Sequence, residues 1–435
     1  MGYLDNFYNT PHAICSQFSG YGRRFLTVKS YLLFLLSILL LASMLFIGCT
    51  LEEPPVGIFS DTTISSHGGP LILVHYMPWY RGPSNKSQET NKNSYGGHWT
   101  RWGYYNPSQH DPNGRAYIHS KHYPLTGPYH SSNAALLEYQ ASLMIIAGID
   151  GVIFDWYGAY EANDFGENQG YTTEMVSVLK RAELFYSICY EDNTLNMMDG
   201  MNPAPVTENS LDIGKYSFDW AQTNWFAYDE FYVRYEGRPV VLCFGPQHFK
   251  TKEQWDYVFY SVNPKPLFVD LDNHYSLSDS SFPWPPMWAS GDGVLTQTRL
   301  TQYLDDFYKQ KRNQLYKTAS AFSAFEDDYA TSYGLLAYDD GKVFDLTWKK
   351  AIAFNPHIIQ IVTWNDYGEG TIIEPTIERG YNELEYIQDR IKEYNPDFPF
   401  SKLDFTFQIL SLYPTWIILI ADRNTVITML LFRFT

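Results

Sequence analysis

Short apolar runs alternate with longer amphipathic runs along most of residues 71–395. The short runs have the length and apolar content of buried strands, and the longer ones repeat their apolar positions at the spacing of a helix face. Eight short runs predict strands: Leu71–Tyr80, Gly151–Gly158, Phe185–Asn193, Pro239–Pro246, Pro266–Asn273, Phe282–Trp288, Tyr316–Phe325 and Ile358–Asn365. The longer runs predict helices: Asn133–Ala147, Thr172–Leu184, Ser210–Tyr235, Thr251–Val262, Leu295–Arg312, Val343–Phe354 and Asn382–Tyr394.

The predicted strands are apolar throughout instead of alternating, which indicates that both faces of their sheet are covered. Eight such strands with crossovers between them predict an α/β fold, a (β/α)8 TIM barrel over residues 70–400. No clear helix separates the fifth strand from the sixth, so that unit fits the pattern least well. Because functional groups of such barrels lie at the carboxyl ends of the strands, we expect them where each apolar run stops.

Polar and aromatic residues gather at those strand ends. Trp and Tyr offer an apolar face with a polar edge, which suits the C–H faces and hydroxyl rims of sugar rings, although core packing is the alternative for each aromatic residue. The pattern therefore predicts a carbohydrate cleft. The candidate substrate-binding residues at the strand ends are Tyr76, Trp79, Tyr80, Asp155, Trp156, Tyr157, Glu191, Asp192, Trp288, Trp364, Asn365 and Tyr367.

A long loop, Arg81–Ser132, follows the first strand, and loops of this length are uncommon unless they are functional. His98 and Trp99 in this loop are further candidates for substrate binding. The loop also contains four more histidines, His110, His119, His122 and His130. The five histidines share no metal-ligand spacing, so we interpret them as groups that bind hydroxyls and expect no metal site.

Composition narrows the class of ligand. The chain of 435 residues has 48 Asp and Glu against 31 Lys and Arg, a formal net charge of −17, and an aromatic fraction of 17%. Such an acidic chain would be repelled by a phosphate backbone, so we expect no nucleic-acid partner. No glycine-rich phosphate loop follows a predicted strand, which argues against a nucleotide cofactor, and we expect no other cofactor. The aromatic excess agrees with a sugar ligand.

The end of the eighth strand carries the strongest chemical signal. Asp366 and Glu369 lie three residues apart on a predicted turn between aromatic residues. Glycoside hydrolysis needs such a pair, one group to protonate the departing oxygen and the other to act as base or nucleophile. The alternative is that Asp366 caps a short helix and Glu369 pairs with a surface cation. If this pair is not catalytic, Glu191 is the next candidate.

These residues carry a family resemblance. The run Trp364-Asn365-Asp366-Tyr367-Gly368-Glu369, with Ile373-Glu374-Pro375 after it, resembles the signature of glycoside hydrolase families 71 (α-1,3-glucanases) and 99 (endo-α-1,2-mannosidases). Tyr76-Met77-Pro78-Trp79-Tyr80, Gly97-His98-Trp99 and Gly151-Val152-Ile153-Phe154-Asp155-Trp156-Tyr157 resemble further family 99 motifs, so the resemblance covers roughly residues 70–400. It implies a hydrolase of α-glycosidic bonds and adds Glu374 to the candidate substrate-binding residues.

The resemblance also implies roles for the pair. Glu369 takes the position of the general acid/base, and Asp366 stands where family 99 has a Glu that deprotonates the sugar's own 2-hydroxyl. Since Asp is shorter than Glu, Asp366 either performs that step or activates a water. Two alternative functions are compatible with the same predicted barrel. One is a surface glycan-binding lipoprotein without turnover, and the other is a transglycosylase that transfers the sugar to another sugar.

The two ends of the chain differ from the predicted barrel. Arg23, Arg24 and Lys29 precede an apolar run over 31–48, and Cys49 follows directly, as in the signal and lipobox of a bacterial lipoprotein. We therefore expect export after removal of residues 1–48, acylation of Cys49, a tether over 49–69, and a location in the periplasm or on the outer membrane. A single membrane-spanning anchor is the alternative. Residues 401–435 form an atypical tail without an assigned function.

Overall fold

The computed structural model describes residues 62–83, 95–198, 206–272, 278–406, 421–422 and 425–426. The predicted signal, Cys49 and most of the predicted tether lie outside these residues. Ala421–Asp422 and Thr425–Val426 pair as a short antiparallel ladder. Within the described ranges, no helix combines the length and the apolar content needed to cross a bilayer.

The described residues contain the predicted barrel. Its strands are β1 Leu71–Tyr76, β2 Gly151–Trp156, β3 Phe185–Tyr190, β4 Arg238–Cys243, β5 Leu267–Leu271, β6 Ser280–Phe282, β7 Thr318–Phe322 and β8 Ile358–Val362. They pair in parallel in the order β7-β8-β1-β2-β3-β4-β5-β6. The predicted (β/α)8 fold is confirmed. The sixth strand begins two residues before its predicted start and ends at Phe282.

The helices surround this sheet. They are α1 Ala134–Ala147, α2 Phe165–Arg181, α3 Thr194–Met198, α4 Glu208–Ala221, α5 Lys252–Val258, α6 Gln297–Lys311, α7 Lys342–Ala353 and α8 Asn382–Tyr394. Short 3₁₀ turns cover Met287–Ala289 and Asp339–Gly341, and two-residue strands pair Tyr80–Arg81 with Gly96–Gly97 and Phe325–Glu326 with Leu335–Leu336. The described part of the β5–β6 connection contains no helix, and the sequence pattern had predicted no clear helix between these two strands.

One predicted helix, Ser210–Tyr235, is too long. The α-helix α4 ends at Ala221, a π-helical turn covers Gln222–Phe226, and Arg234–Tyr235 forms a short strand antiparallel to the start of β4. Glu236 and Gly237 between them both have positive φ, 48° and 74°. Two consecutive left-handed residues make a tight hairpin turn, which a helix cannot accommodate.

The barrel has one seam, between β6 and β7, where no backbone ladder joins the two described strands. Side-chain hydroxyls close it: Ser280 Oγ donates to the carbonyl of Tyr316, and Ser320 Oγ donates to that of Pro283, both at 2.5 Å. The backbone N–H of Ser320 donates to the Tyr308 hydroxyl on α6, at 3.2 Å. That of Phe322 donates to Thr347 Oγ1 on α7, at 3.1 Å. Side chains of the surrounding helices therefore accept hydrogen bonds from these two backbone N–H groups at the seam.

The barrel packing extends past the predicted end of the domain at residue 400. Phe405 is fully buried and its ring stacks on that of Tyr381, with centroids 5.5 Å apart. Lys402 lies 2.9 Å from the Asp389 carboxylate on α8. Residues 401–406 thus contact the domain.

Candidate active site

A cavity of about 340 Å³ opens at the carboxyl ends of the barrel strands. Its lining is acidic, with five carboxylates and, among the described lining residues, Arg101 as the single Lys or Arg. The carboxylates are Asp155, Asp164, Glu191, Asp366 and Glu369. The aromatic lining residues are Trp79, Tyr80, Trp102, Tyr157, Phe165, Phe244, Trp284 and Tyr329. Eight of the candidates from the sequence line the cavity: Trp79, Tyr80, His98, Asp155, Tyr157, Glu191, Asp366 and Glu369.

Strand alternation decides which candidates reach the cavity. At the end of β2, Asp155 and Tyr157 line it, while Trp156 between them points to the helix layer and packs on Phe218 and Trp225. Successive side chains of a strand point to opposite faces, so three consecutive residues cannot all face one cleft. The structure therefore does not support a ligand contact for Trp156.

The same rule separates the candidates at the end of β1. His75 and Met77 line the cavity, whereas Tyr76 points outward and its hydroxyl donates to Gln140 Oε1 on α1, at 2.8 Å. Neither His75 nor Met77 was a candidate from the sequence. Tyr76, which was one, supports the fold between strand and helix.

At the end of β3, Glu191 lines the cavity and Asp192 turns away from it. The Asp192 carboxylate accepts the backbone N–H groups of Gln247, His248 and Phe249 at 2.7–2.9 Å. A carboxylate that accepts three backbone donors fixes the loop after β4. Asp192 therefore acts as a loop clamp behind the cavity and does not contact a ligand in it.

Asp366 and Glu369 share one tight turn after β8. The backbone N–H of Asp366 donates to Thr363 Oγ1 at 2.8 Å, and Asp366 Oδ1 accepts the backbone N–H of Glu369 at 3.1 Å. Asp366 therefore caps the turn, as the alternative interpretation held, and it also lines the cavity. No described Lys or Arg forms an ion pair with Glu369, so its carboxyl group is not part of a surface salt bridge.

The environments of the two carboxyls push their pKa values apart. Burial, followed by the charges of Asp366 and Asp327, raises the pKa of Glu369 well above its ordinary value. Burial also raises the pKa of Asp366, to about 6, but the backbone N–H groups of Glu369 and Gly368 oppose the shift because they stabilise the charged form. Near neutral pH, Glu369 therefore retains its proton more readily than Asp366.

Two further carboxyls complete the acidic wall. Burial, then the charges of Glu191 and Asp366, raises the pKa of Asp155 well above its ordinary value. Burial, then the Asp192 charge, raises the pKa of Glu191 to about 7. Asp155 Oδ2 is buried and has no hydrogen-bond partner in the described residues. An unsatisfied buried carboxylate oxygen on a cavity wall is suited to accept a hydrogen bond from a ligand hydroxyl.

The rest of the family-like signature lies beneath the cavity. Glu374 is buried, and its carboxylate accepts hydrogen bonds from Gln140 Nε2 at 2.6 Å and from the Tyr129 and Tyr367 hydroxyls at 2.8 Å each. Asn365 Oδ1 accepts the backbone N–H of Met77 at 2.8 Å. The structure places four candidates in this layer and outside the cavity lining: Trp364, Asn365, Tyr367 and Glu374. Their contacts hold the Asp366–Glu369 turn in place.

The loop after β1 contributes a stacked aromatic pair. The rings of Trp79 and His98 lie parallel, 4.0 Å between centroids and 6° between planes. Burial, with a smaller effect from His119, lowers the pKa of His98 to about 3, so this ring stays neutral. Trp99 is fully buried instead and donates from Nε1 to the carbonyl of Tyr129 at 2.7 Å. Trp99 therefore belongs to the core and not to the cavity.

The remaining loop histidines divide by location. His119 lines the cavity and lies 3.2 Å from the carbonyl of Asp328. His110 is exposed, His122 contacts Arg379, and His130 is buried elsewhere, so the expected hydroxyl-binding role applies by position only to His98 and His119. No set of three His, Cys, Asp or Glu side chains in the described part of the chain is arranged to hold a metal ion.

Trp288 does not reach the cavity. It follows β6 by six residues, is 75% exposed, and lines a separate groove on α6. Trp284 lines the cavity instead, and the sequence prediction missed it together with Arg101, Trp102 and Tyr329. Trp284 lies two residues after β6, so a sixth strand predicted to end at Phe282, six residues before Trp288, would have made Trp284 a candidate.

The fold and the acidic cavity define a (β/α)8 barrel of the kind found in glycoside hydrolases. Two solved structures of the family 99 endo-α-mannosidase from Bacteroides thetaiotaomicron, one in complex with bis-tris-propane, superpose with TM-scores of 0.54 and 0.55 at 17% and 16% identity. Each match covers 77% of this chain and 98% of that one. A glycoside hydrolase-like protein matches with a TM-score of 0.51 at 12% identity, over 79% and 98% of the two chains.

At these identities the likeness shows a shared fold. No protein family model matches the chain. No curated protein matches it either.

Proposed function

We propose that the protein is a glycoside hydrolase that cleaves α-glycosidic bonds in a polysaccharide or oligosaccharide. Glu369 is the general acid/base, and Asp366 is the base or assisting carboxylate. One observation carries the proposal: both carboxyls line a single cavity at the carboxyl end of the barrel, and their surroundings separate their pKa values.

The chemistry follows from these protonation states. Glu369 gives its proton to the glycosidic oxygen as the bond from that oxygen to the anomeric carbon breaks, and the electron pair leaves with the oxygen. Positive charge then develops on the sugar ring, and the ionised Asp366 carboxylate in the same cavity stabilises it. Asp366 removes the proton from the group that attacks the anomeric carbon, either water or the sugar's own 2-hydroxyl. In the second case, water opens the resulting intermediate with Glu369 acting as base.

The aromatic residues support a saccharide as the ligand. The Trp79–His98 stack orders an indole ring at the cavity wall, and Trp102 at the same cavity is 67% exposed. Aromatic faces of this kind bind sugar rings through their C–H groups. The choice of an α-linkage rests on the motif resemblance and on the similarity in fold to the endo-α-mannosidase.

The proposal includes export and a lipid anchor at Cys49, on the strength of the basic, apolar and cysteine pattern of residues 23–49. In the native host, we expect the wild-type protein in the membrane fraction. A Cys49→Ser variant is expected in the soluble exported fraction or as an unprocessed precursor. Equal lipid labelling of both proteins would reject the anchor.

Two isosteric variants test the catalytic assignment. Glu369→Gln and Asp366→Asn remove one proton-transfer group each, and we expect turnover of the best substrate from a panel of α-glucans and α-mannans to fall about 10²–10⁴-fold. Glu393→Gln on the surface of α8 is the matched control and keeps its activity. Near-wild-type turnover by folded Glu369→Gln would reject the assignment. Glycan binding by the wild type without any product would favour a glycan-binding function instead.

A further inference from the structure

A second groove, of about 560 Å³, runs along the outer face of α6. We call it the α6 groove; its lining residues are Asp272, Trp288, Ala289, Arg299, Gln302, Tyr303, Asp306, Phe307, Gln310 and Lys311. The members on α6 are spaced by three and four residues, so they form one face of the helix. From Arg299 to Lys311 this face is about 18 Å long, enough for an extended ligand.

An open aromatic platform lies at one end of the α6 groove. The indole of Trp288 is 75% exposed, and its ring meets that of Tyr303 edge to face, with centroids 5.8 Å apart. The Tyr303 hydroxyl donates to Asp272 Oδ1, so the supporting ring is fixed. An exposed indole that packs against a fixed ring offers a flat apolar surface to a ligand in the groove.

An unpartnered donor lies at the other end. Lys311 is only 7% exposed, yet its ammonium group has no hydrogen bond or ion pair with any described residue. The centroid of the Phe307 ring lies 6.0 Å from Lys311 Nζ. Burial lowers the pKa of Lys311, and the charges of Asp270 and Asp272 oppose the shift. A donor on a groove wall without a protein partner gains one when an acceptor binds in the groove.

The charges of the α6 groove differ from those of the catalytic cavity. Arg299 and Lys311 balance Asp272 and Asp306, so the groove has no formal net charge, whereas five carboxylates face one arginine in the cavity. We propose that the α6 groove is a second binding site for a neutral oligosaccharide, with Trp288 stacking on one sugar ring and Lys311 donating to a hydroxyl of another. The choice of a saccharide rests on the proposed function, while the groove itself does not.

The sequence links this site to the cavity through a stiff segment. Trp284 lines the cavity, Trp288 lines the α6 groove, and Pro285 and Pro286 between them restrict the backbone. Four residues span at most about 14 Å between the two Cα atoms. The Trp288 end of the α6 groove therefore lies close to a residue that lines the catalytic cavity.

Hydrogen–deuterium exchange on the full exported protein tests the proposal. Glu369→Gln serves as the background, so that the probes remain intact. The probes are neutral α-mannan, α-glucan, β-glucan and xylan oligosaccharides, with an oligogalacturonide as the acidic comparison. We expect at least one neutral probe to slow exchange across residues 287–311. Trp288→Ala and Lys311→Met should each raise the concentration for half-maximal protection at least tenfold.

Tyr260→Ala is the matched control, because Tyr260 is also 75% exposed but lies after α5. It should shift the half-maximal concentration less than twofold. Trp288 is exposed, so its variant keeps the test decisive even if Lys311→Met does not fold. Protection of residues 363–371 alone, or protection of 287–311 by the oligogalacturonide alone, would overturn the proposal. If the wild-type protein hydrolyses none of these probes while residues 287–311 are still protected, the proposed function is rejected and this site stands.

Discussion

Glu374 is the buried acceptor on which the signature turn depends, and its replacement by Ala is a quantitative test. The carboxylate accepts from Gln140 Nε2, from the Tyr129 hydroxyl and from the Tyr367 hydroxyl. Glu374→Ala leaves these three donors in a cavity without an acceptor. Gln140 cannot help by turning its amide, because its Oε1 already accepts from the Tyr76 hydroxyl.

The magnitude follows from counting the donors left unpaired. The Gln140 amide and the hydroxyls of Tyr129 and Tyr367 all lose the acceptor that they share. Each unpaired buried donor costs about 1–3 kcal/mol, and the removed methylenes leave a void, so Glu374→Ala should lower the free energy of unfolding by at least about 3 kcal/mol. Glu374→Gln keeps one oxygen for both tyrosines but sets an N–H₂ group against Gln140, so it should cost about 1–3 kcal/mol.

Urea unfolding monitored by tryptophan fluorescence measures both variants. Glu393→Ala on exposed α8 is the control and should stay within about 0.5 kcal/mol of the wild type. The reasoning is refuted if Glu374→Ala loses less than about 1 kcal/mol, or if the Gln variant loses as much as the Ala variant.

Two further predictions concern pH. The pH profile of kcat/KM should be bell-shaped, because Asp366, with a pKa of about 6, must be ionised, and Glu369, with a raised pKa, must keep its proton. In the residual activity of Asp366→Asn, the rising limb near pH 6 should disappear. A rising limb that persists in this variant would reject the assignment. Glu191→Gln should raise the urea midpoint more at pH 8 than at pH 4. The folded-state pKa of Glu191, about 7, lies above its unfolded value, so ionisation of Glu191 destabilises the fold as pH rises through this window; equal changes at both pH values would contradict this.

The fold was largely predictable from the pattern because a parallel barrel buries both faces of each strand. Continuous apolar runs marked all eight strand regions. The sequence between β5 and β6 has no clear helix pattern, and the described part of that connection contains no helix. The end of α4 was not predictable from periodicity, since the apolar spacing continues into the π-helical turn and the hairpin. The left-handed pair Glu236 and Gly237 was the available signal for that hairpin.

The sequence predicted where along the chain the site residues lie, but not which of their side chains point into the cavity. The predicted strand ends located the cavity. The prediction nevertheless took consecutive residues at each strand end as ligand-binding, whereas side-chain alternation lets only every second one face the ligand. That rule separates Asp155 and Tyr157 from Trp156, and Glu191 from Asp192. The support role of Glu374 needed coordinates, because its three donors come from α1, from the first loop and from the signature turn itself.

The interruption of the barrel between β6 and β7 bears on self-association. A strand edge with free N–H and C=O groups invites a strand from another molecule, and a complete ring normally removes that risk. Here the hydroxyls of Ser280, Ser320, Tyr308 and Thr347 bind backbone groups at which such a strand would add. These bonds therefore oppose intermolecular pairing at the gap without a ninth strand. Loss of the hydroxyl in Ser320→Ala would free the Pro283 carbonyl, and its loss in Thr347→Val would free the Phe322 N–H.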